Sequence, residues 1–257
     1  MKIQVLVATM NQLDHSLLEK MNIQSDVIVG NQCEFNSIEQ FRYKDYSAVY
    51  LNFAERGVGL NRNNALMRAT ADICLFGDDD MIYINNYVDI IRKAFENQPD
   101  ADIIAFNLIE KKPSRYIIKK QKRIHFYNFL TYGTARIAVK LSKVRENGIS
   151  FNLCFGGGTI HCHGEDNIFI ADCLKKGLKM YAVPISIAEL TEERESTWNR
   201  GYNEAYLFDQ GALYKTISKK FWKILCLQDA IRHASKEYNM GWKTAYLHMI
   251  EGGKGLI

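Results

Sequence analysis

The 257-residue chain is predicted to fold as an α/β domain with a mixed, mostly parallel sheet flanked by helices, followed by a helical C-terminal extension. Two observations predict this class. Short runs of Val, Ile and Leu that are apolar on both faces recur between helical segments, which is typical of parallel strands covered by helices. Apolar residues at helical spacing then dominate the end of the chain. We place the main domain at residues 1–215 and the helical extension at residues 216–257.

Six apolar runs are predicted as strands and alternate with helices. In chain order, the strands cover residues 3–8, 27–29, 47–51, 73–76, 103–106 and 180–183. The intervening helices are predicted over residues 16–21, 57–69, 87–95 and 168–174. Gly30 and Pro184 are expected to end their strands, because glycine weakens a strand and proline cannot donate to the ladder. The basic stretch 111–123 contains Pro113 and is predicted to be a loop or an edge hairpin.

The segment from Lys215 to Ser235 is predicted to be one basic amphipathic helix. Its apolar stripe and its lysines are Ile217, Phe221, Ile224, Leu225 and Ile231, and Lys215, Lys219 and Lys223. Such a helix either docks on an anionic membrane or packs on its own domain with the lysines in water. The sequence leaves both interpretations open.

Composition excludes several classes of protein. The net charge is only +4 and the basic residues form no long run, so no nucleic-acid partner is indicated. The apolar run from Ile3 to Met10 is too short to span a membrane. Six cysteines without a Cys-x-x-Cys pair indicate neither a zinc ribbon nor a disulfide framework, and favour a cytoplasmic location. Consecutive residues on a strand point to opposite faces, so His161, Cys162 and His163 are not expected to bind one metal ion.

An acidic triplet, Asp78, Asp79 and Asp80, directly follows the predicted strand at residues 73–76. Neighbouring carboxylates resist joint ionisation unless a cation neutralises them, and hard oxygen ligands suit Mg²⁺ or Mn²⁺. Ligands of open α/β sheets bind at the carboxyl ends of strands, so the triplet predicts a divalent-metal site there. The alternative is an acidic turn that caps a helix starting near Tyr83.

A second acidic pair, Glu165 and Asp166, lies at the predicted start of a helix after the glycines at 156–158. Glycine allows a ligand to approach the backbone, although an Asp at this place is commonly only a helix cap. A metal that stabilises a departing diphosphate, together with a carboxylate that takes the acceptor's proton, is what transfer from a nucleotide-linked donor requires. Two acidic clusters on separate strand ends can supply these roles.

In their order and spacing, these motifs resemble the family 2 glycosyltransferases of GT-A fold. The resemblance covers roughly residues 1–215 and rests on residues 56–63, Phe76–Asp80 and Gly164–Asp166, with residues 195–204 resembling a bacterial branch. It implies inverting transfer of a sugar from a nucleotide diphosphate sugar, usually a UDP-sugar, with Mn²⁺ or Mg²⁺. The acceptor would be a carbohydrate or a glycolipid in bacterial cell-surface synthesis.

The resemblance also implies roles for individual residues. Asp80 and Asp78 would bind the metal, Asp166 would be the general base, and Glu165 would support it. The nucleotide-sugar donor would be held by Asp78, Asp79, Arg62, Thr9 and Asn11. Trp198 and Tyr202 are predicted to form an acceptor platform or a lid over the sugar. Outside such a site, Arg62 would be a surface helix residue paired with one acid.

Two departures and two rival functions remain open. Residues 29–32 lack the acidic turn with which the family binds uracil, so the preference for a nucleotide base is open. Glu residues at 189–193 stand where many relatives have a metal-ligating His. A nucleotidyltransferase also uses paired Asp residues, but it normally has a Gly-rich phosphate loop, which is missing before Gly30. The other rival is a catalytically silent protein that binds a nucleotide-sugar or carbohydrate. We expect a cytoplasmic location. The protein would be peripheral at the inner membrane face if the C-terminal helix docks there.

Overall fold

The computed structural model describes residues 1–111, 115–191 and 201–255. Within these ranges, ten strands form one mixed sheet with helices on both faces. The strands are β1 Ile3–Met10, β2 Asp26–Gln32, β3 Ser37–Tyr43, β4 Tyr46–Phe53, β5 Ile73–Asp78, β6 Met81–Tyr83, β7 Ile103–Ile109, β8 Lys122–Ile124, β9 Ile137–Lys140 and β10 Met180–Leu190. The helices are α1 Leu17–Lys20, α2 Val58–Arg68, α3 Tyr87–Asn97, α4 Leu141–Glu146, α5 Glu165–Lys175, α6 Glu204–Ile217, α7 Trp222–His233 and α8 Trp242–Gly255.

The sheet is mostly parallel, as predicted. Its order is β3-β4-β2-β1-β5-β9-β7-β10-β6, with β8 paired to β10. The strands β1, β2, β4, β5, β7 and β10 run in one direction, and the other four run against them. In the parallel part, Val5 of β1 lies between Val27 of β2 and Leu75 of β5. The carboxyl ends of six strands therefore meet at one edge of the sheet.

Two apolar clusters cover the two faces of the sheet. One packs α2, α4 and α5 against residues such as Leu6, Ile28 and Phe76. The other packs α1 and α3 against Val5, Val29 and their neighbours. The central strands thus alternate their side chains between two buried faces, which explains why they are apolar throughout.

Two predicted strand ends are wrong. Gly30 lies inside β2. A Cβ at this position would come 1.9 Å from Asn61 Oδ1, so the absence of a side chain lets the Asn61 amide donate to the Gly30 carbonyl at 2.7 Å. Pro184 lies inside β10, where it is exposed and where the pairing with β7 shifts register between Ala182 and Ser186. A proline is tolerated at such an irregularity because no ladder hydrogen bond is needed from it.

Four strands were not in the sequence prediction, and all four run against the main direction. They are the edge strand β3, the short strands β6 and β8, and β9, which lies between β5 and β7. The basic stretch 111–123 thus ends in a strand, β8, that pairs antiparallel with β10. The helix predicted over residues 87–95 is confirmed as α3, Tyr87–Asn97. The alternative start near Tyr83 is wrong, because β6 occupies Met81–Tyr83.

The segment from Lys215 to Ser235 was predicted to be one helix, and this is wrong: it contains the end of α6 and the whole of α7. Helix α6 ends at Ile217, where Ser218 takes an extended conformation and its hydroxyl accepts from the backbone N–H of Phe221 at the start of α7. Helices α6, α7 and α8 share a third apolar cluster, while Leu213 and Ile217 of α6 belong to the cluster of the main sheet. Among the described helices, none combines the length and apolar character needed to cross a bilayer. The predicted boundary at residue 215 falls within α6 and stays a prediction.

Candidate active site

The strand ends open into a cleft of about 1590 Å³. One wall comes from the ends of β1 and β5 and the start of α5, and the other comes from α6 and α7. Seven residues predicted to act in donor binding, metal binding or catalysis line it: Thr9, Arg62, Asp78, Asp79, Asp80, Glu165 and Asp166. The parallel sheet brings them together although they are spread over more than half of the chain.

Arg62 connects the two acidic clusters. It lies on α2 and is 5% exposed, so it is not the surface residue that the alternative interpretation required. Its Nη2 donates to Asp78 Oδ1 at 2.9 Å, and its Nη1 donates to Asp166 Oδ1 at 2.8 Å and to Glu165 Oε1 at 2.9 Å. Burial opposes the positive charge, but attraction to the three carboxylates outweighs it and raises the pKa of Arg62.

Glu165 and Asp166 form the first turn of α5, where the helix dipole favours negative charge. No side chain caps this helix; Gly164, in the left-handed region at φ 105°, occupies the cap. Gly156, at φ 101°, packs against Glu165, since a Cβ there would lie 2.7 Å from Glu165 Oε2. The absence of a side chain at Gly156 therefore makes room for the carboxylate of Glu165. Burial, followed by the charge of Asp166, raises the pKa of Glu165.

Asp166 is oriented from two sides. Its Oδ1 accepts from Arg62 and from the hydroxyl of Thr134, a buried residue just before β9. Its second oxygen, Oδ2, faces Gly133, where an added Cβ would lie 3.1 Å away. The carboxylate is thus fixed through one oxygen, and the other points toward a residue without a side chain.

The acidic triplet forms the turn between β5 and β6 and does not cap a helix, because α3 begins later, after Asn86. Asp79 Oδ2 accepts from the hydroxyl of Thr9 at 2.6 Å. The backbone carbonyl of Asp80 accepts from the N–H of Thr191 at 2.8 Å, which ties the turn to the end of β10. Burial and the charges of Asp78 and Asp79 raise the pKa of Asp80 to about 6.

The triplet fits a divalent cation that is shared with a ligand. The five carboxylates of the two acidic clusters line the cleft together with Arg62, and burial, followed by the charges of Asp78 and Asp79, raises the pKa of Asp80. The triplet does not bring three ligand atoms into one tight set among the described residues; only Cys162, His163 and Asp209 do so, within 4.8 Å. The arrangement of the acidic triplet suits Mg²⁺ or Mn²⁺ held by one or two carboxylates together with substrate phosphates.

The wall of the cleft formed by α6 contacts the His161–His163 run, which lies in a loop before α5 and not in a strand. His161 Nδ1 lies 2.8 Å from Asp209 Oδ1, and His163 Nε2 lies 2.8 Å from Gln210 Oε1. The two histidines therefore have separate partners on α6. Burial lowers the pKa of His163, so this ring is neutral at neutral pH.

A buried carboxylate on α7, Asp229, joins α6 and α7 at the far end of this wall. It accepts from Tyr214 at 2.8 Å, from Tyr238 at 2.9 Å and from Gln210 Nε2 at 3.2 Å. These three donors satisfy a group that would otherwise be costly to bury.

Two predicted site residues, Asn11 and Tyr202, do not line the cleft, and a third is not among the described residues. Asn11 is exposed, at φ 55°, and is not among the described residues that line the cleft. Tyr202 is 41% exposed and packs edge-on against Tyr206, with ring centres 5.0 Å apart. Trp198 lies outside the described residues, as does most of the predicted lid. Their roles stay predictions.

Several residues of the site were not found from the sequence. Thr134, Asp209 and Gln210 carry no motif, and each acquires its place through packing of distant segments. The only local signal was the His161–His163 run, whose alternation was interpreted as strand geometry. A loop frees these side chains from that constraint.

By its architecture, this protein is a mixed α/β protein that has a carboxylate-lined cleft at the ends of its parallel strands. Neither a protein-family description nor a curated protein matches the sequence. Among solved structures, the chain is similar to S. aureus TarS 1-349 in complex with UDP-GlcNAc, with a TM-score of 0.65 and 16% identity over 97% of this chain and 80% of that one. The complex of TarS 1-349 with UDP gives a TM-score of 0.63 and 16% identity, over 91% and 72%.

A longer S. aureus TarS structure gives a TM-score of 0.61 and 14% identity over 93% of this chain. Our chain spans 44% of that TarS chain. Identities this low show the fold alone. The chain therefore has a GT-A-like glycosyltransferase fold, which confirms the fold implied by the resemblance but does not place the chain in family 2.

Proposed function

We propose that this protein is a metal-dependent, inverting glycosyltransferase that moves a sugar from a nucleotide diphosphate sugar, a UDP-sugar, to a hydroxyl of a carbohydrate or glycolipid. The observation that carries the proposal is that Arg62 holds Asp78 of the strand-end turn and Asp166 of α5 in one cleft. The UDP and UDP-GlcNAc complexes of the structurally similar TarS support a nucleotide-sugar as the ligand. Synthesis of bacterial cell-surface polysaccharide or glycolipid is the setting that we propose.

The donor end of the cleft lies at the carboxyl ends of β1 and β5. Thr9 of β1 holds Asp79, and Thr191, directly after β10, holds the backbone of Asp80, so this turn is fixed from two separate strands. Asp80 and Asp78 would hold Mn²⁺ or Mg²⁺. Asp78 can do so through Oδ2 while Oδ1 accepts from Arg62, because a carboxylate has two accepting oxygens. When bound, such an ion supplies positive charge that stabilises a departing diphosphate.

The base end of the cleft is Asp166. Arg62 and Thr134 hold its Oδ1, which leaves Oδ2 to accept the proton of the acceptor hydroxyl as that hydroxyl attacks the sugar. Direct attack by the acceptor, with no covalent sugar–enzyme bond, inverts the configuration at the anomeric carbon. Glu165 is more deeply buried and positions Arg62 rather than meeting the acceptor.

Release of nucleoside diphosphate tests the proposal. The protein is incubated with UDP-, GDP- and ADP-sugars, with Mn²⁺, Mg²⁺ or EDTA, and with and without carbohydrate acceptors. We expect UDP release from a UDP-sugar with Mn²⁺ or Mg²⁺, an increase when an acceptor is added, and loss of release in EDTA. Release of pyrophosphate from nucleoside triphosphates would instead indicate a nucleotidyltransferase, and tight binding without any release would indicate a silent binding protein.

A further inference from the structure

The outward side of α7 carries apolar residues that the fold does not cover. Phe221, Ile224, Leu227 and Ile231 are 51%, 62%, 36% and 62% exposed, and we call these four residues the outer α7 face. Their spacing of three and four places them along one side of the helix. The opposite side of α7 belongs to the third apolar cluster. Only part of the stripe predicted from the sequence is therefore used in packing, namely Ile217 and Leu225.

Positive charge borders this face on one side. Lys219 and Lys220 precede α7, Lys223 lies in its first turn, and all three are exposed. No acidic residue occurs between residues 215 and 228. An apolar face with a basic border matches a bilayer surface that contains anionic lipids, because the apolar side chains enter the headgroup boundary while the lysines meet phosphates.

A second copy of the chain is a poorer occupant of the same face. A two-fold contact would place the same patch, including Lys219, Lys220 and Lys223, on both partners, so the contact would offer these lysines no opposite charge. An anionic surface, by contrast, attracts them. Charge complementarity therefore favours an anionic membrane over a second copy as the occupant of the outer α7 face.

We propose that the outer α7 face docks this protein on the surface of an anionic membrane. The same helix lines the cleft through Gln228, Asp229 and Arg232, so docking brings the far end of the cleft next to the bilayer. An acceptor hydroxyl on a lipid-linked carbohydrate is then within reach of the cleft. This statement about the acceptor rests on the proposed glycosyltransferase function; the docking itself does not.

Vesicle co-sedimentation of the full chain tests the docking. We expect binding to vesicles of phosphatidylglycerol and phosphatidylcholine, weakened by salt, and little binding to pure phosphatidylcholine. Lys219→Gln with Lys220→Gln should weaken partitioning on the order of 20-fold, at about fivefold per lysine. Ile224→Ser with Ile231→Ser should weaken it as well. Matched controls are Lys20→Gln with Lys93→Gln, and Met67→Ser with Leu153→Ser, at exposed positions outside the outer α7 face.

Equal binding by the wild type and both α7 variants, or no binding to anionic vesicles, would overturn the proposal. So would a dimer, detected by light scattering, that Ile224→Ser with Ile231→Ser dissociates, because a second copy would then occupy the face. Sugar transfer separates the two proposals. The α7 variants should release UDP with a soluble acceptor at the wild-type rate and should lose transfer only to a lipid-linked acceptor in vesicles. Absence of UDP release from every variant and from wild type would contradict the proposed function and leave the docking result standing.

Discussion

The buried Arg62 forms an ion pair with the partly buried Asp166 at 2.8 Å, and the same guanidinium also holds Asp78 at 2.9 Å. The side chain lies against the ring of Phe151, with the guanidinium carbon 5.5 Å from the ring centre. One fixed cation therefore joins the end of β5 to the start of α5. This arrangement couples the position of the proposed base to the proposed metal-binding turn.

Removing this cation should destabilise the fold. Arg62→Met leaves Glu165 and Asp166 without their buried partner, and loss of one partner of a buried ion pair typically costs about 3–5 kcal/mol. Urea unfolding at about pH 8 measures the loss. Arg68→Met, on the exposed side of the same helix, is the control and should change the unfolding free energy little.

The loss should also shrink at lower pH. Burial already raises the pKa of Glu165, and removal of the cation raises it further above the unfolded value. The folded variant then binds more protons than the unfolded chain, so its unfolding free energy rises as pH falls from about 8 to about 6. A deficit in Arg62→Met that is independent of pH would show that the carboxylates near Arg62 are not what destabilises the variant.

Thr134 should position the base without binding the nucleotide-sugar donor. Thr134→Val removes the hydroxyl that donates to Asp166 while keeping the shape of the side chain. A hydrogen bond to a charged group is worth about 1.5–3 kcal/mol, so kcat should fall about tenfold or more, with KM for the UDP-sugar unchanged. Thr134→Ser keeps the hydroxyl and should restore the rate. A rise in KM with unchanged kcat would place Thr134 in donor binding instead.

Asp80 should be needed for metal binding in the presence of UDP. Replacement by Asn keeps the size of the side chain but removes the charge that attracts Mn²⁺. We expect the Mn²⁺ affinity of Asp80→Asn, measured by calorimetry with UDP present, to fall at least about tenfold, equivalent to ~1.4 kcal/mol. Asp89→Asn, which alters an exposed ion pair on α3, should bind as wild type does. Equal affinities for Asp80→Asn and wild type would rule out Asp80 as a ligand.

The close crossing of α6 and α8 depends on glycine. A Cβ at Gly211 would lie 1.7 Å from the carbonyl oxygen of Met249, so Gly211→Ala must push the two helices apart. Alanine normally stabilises a helix interior by about 1 kcal/mol relative to glycine, yet overpacking here should cost about 1–3 kcal/mol. Thermal unfolding shows whether Gly211→Ala stabilises or destabilises the protein. Gly241→Ala, whose nearest neighbour would be 3.9 Å away, is the control and should change the Tm little; a higher Tm for Gly211→Ala would contradict the packing described.

The central parallel strands, and the positions of the carboxylates at a strand end and at a helix start, could be predicted from the sequence because both depend on local pattern. Continuous apolar runs mark strands that are covered on both faces, and Asp78 and Asp166 follow such runs or open a helix. The strands β3 and β9 were missed for a different reason. The residues of β3 are largely exposed at the sheet edge, and β9 is only four residues long, so neither has a distinct period.

Contacts across the chain account for the rest. The roles of Gly30 and Thr134 depend on Asn61 and Asp166, which lie 31 and 32 residues away. The end of α6 likewise depends on how Ile217 packs into the apolar cluster of the main sheet. The periodicity of a single sequence does not reveal contacts between residues that are distant along the chain. The burial of Arg62 among three carboxylates is the clearest example of such contacts.

The most direct test of the account is the effect of Asp166→Asn on sugar transfer and on binding of the UDP-sugar. The amide is nearly isosteric but cannot take the acceptor's proton, and loss of a positioned base typically lowers the rate about 10²–10⁴-fold. Asp172→Asn, on the exposed side of the same helix, is the matched control. We predict that Asp166→Asn loses turnover by this factor and binds the UDP-sugar with the wild-type Kd, whereas Asp172→Asn keeps both the turnover and the Kd of the wild type. Turnover by Asp166→Asn within a few-fold of wild type would contradict the assignment of the base and, with it, the central claim.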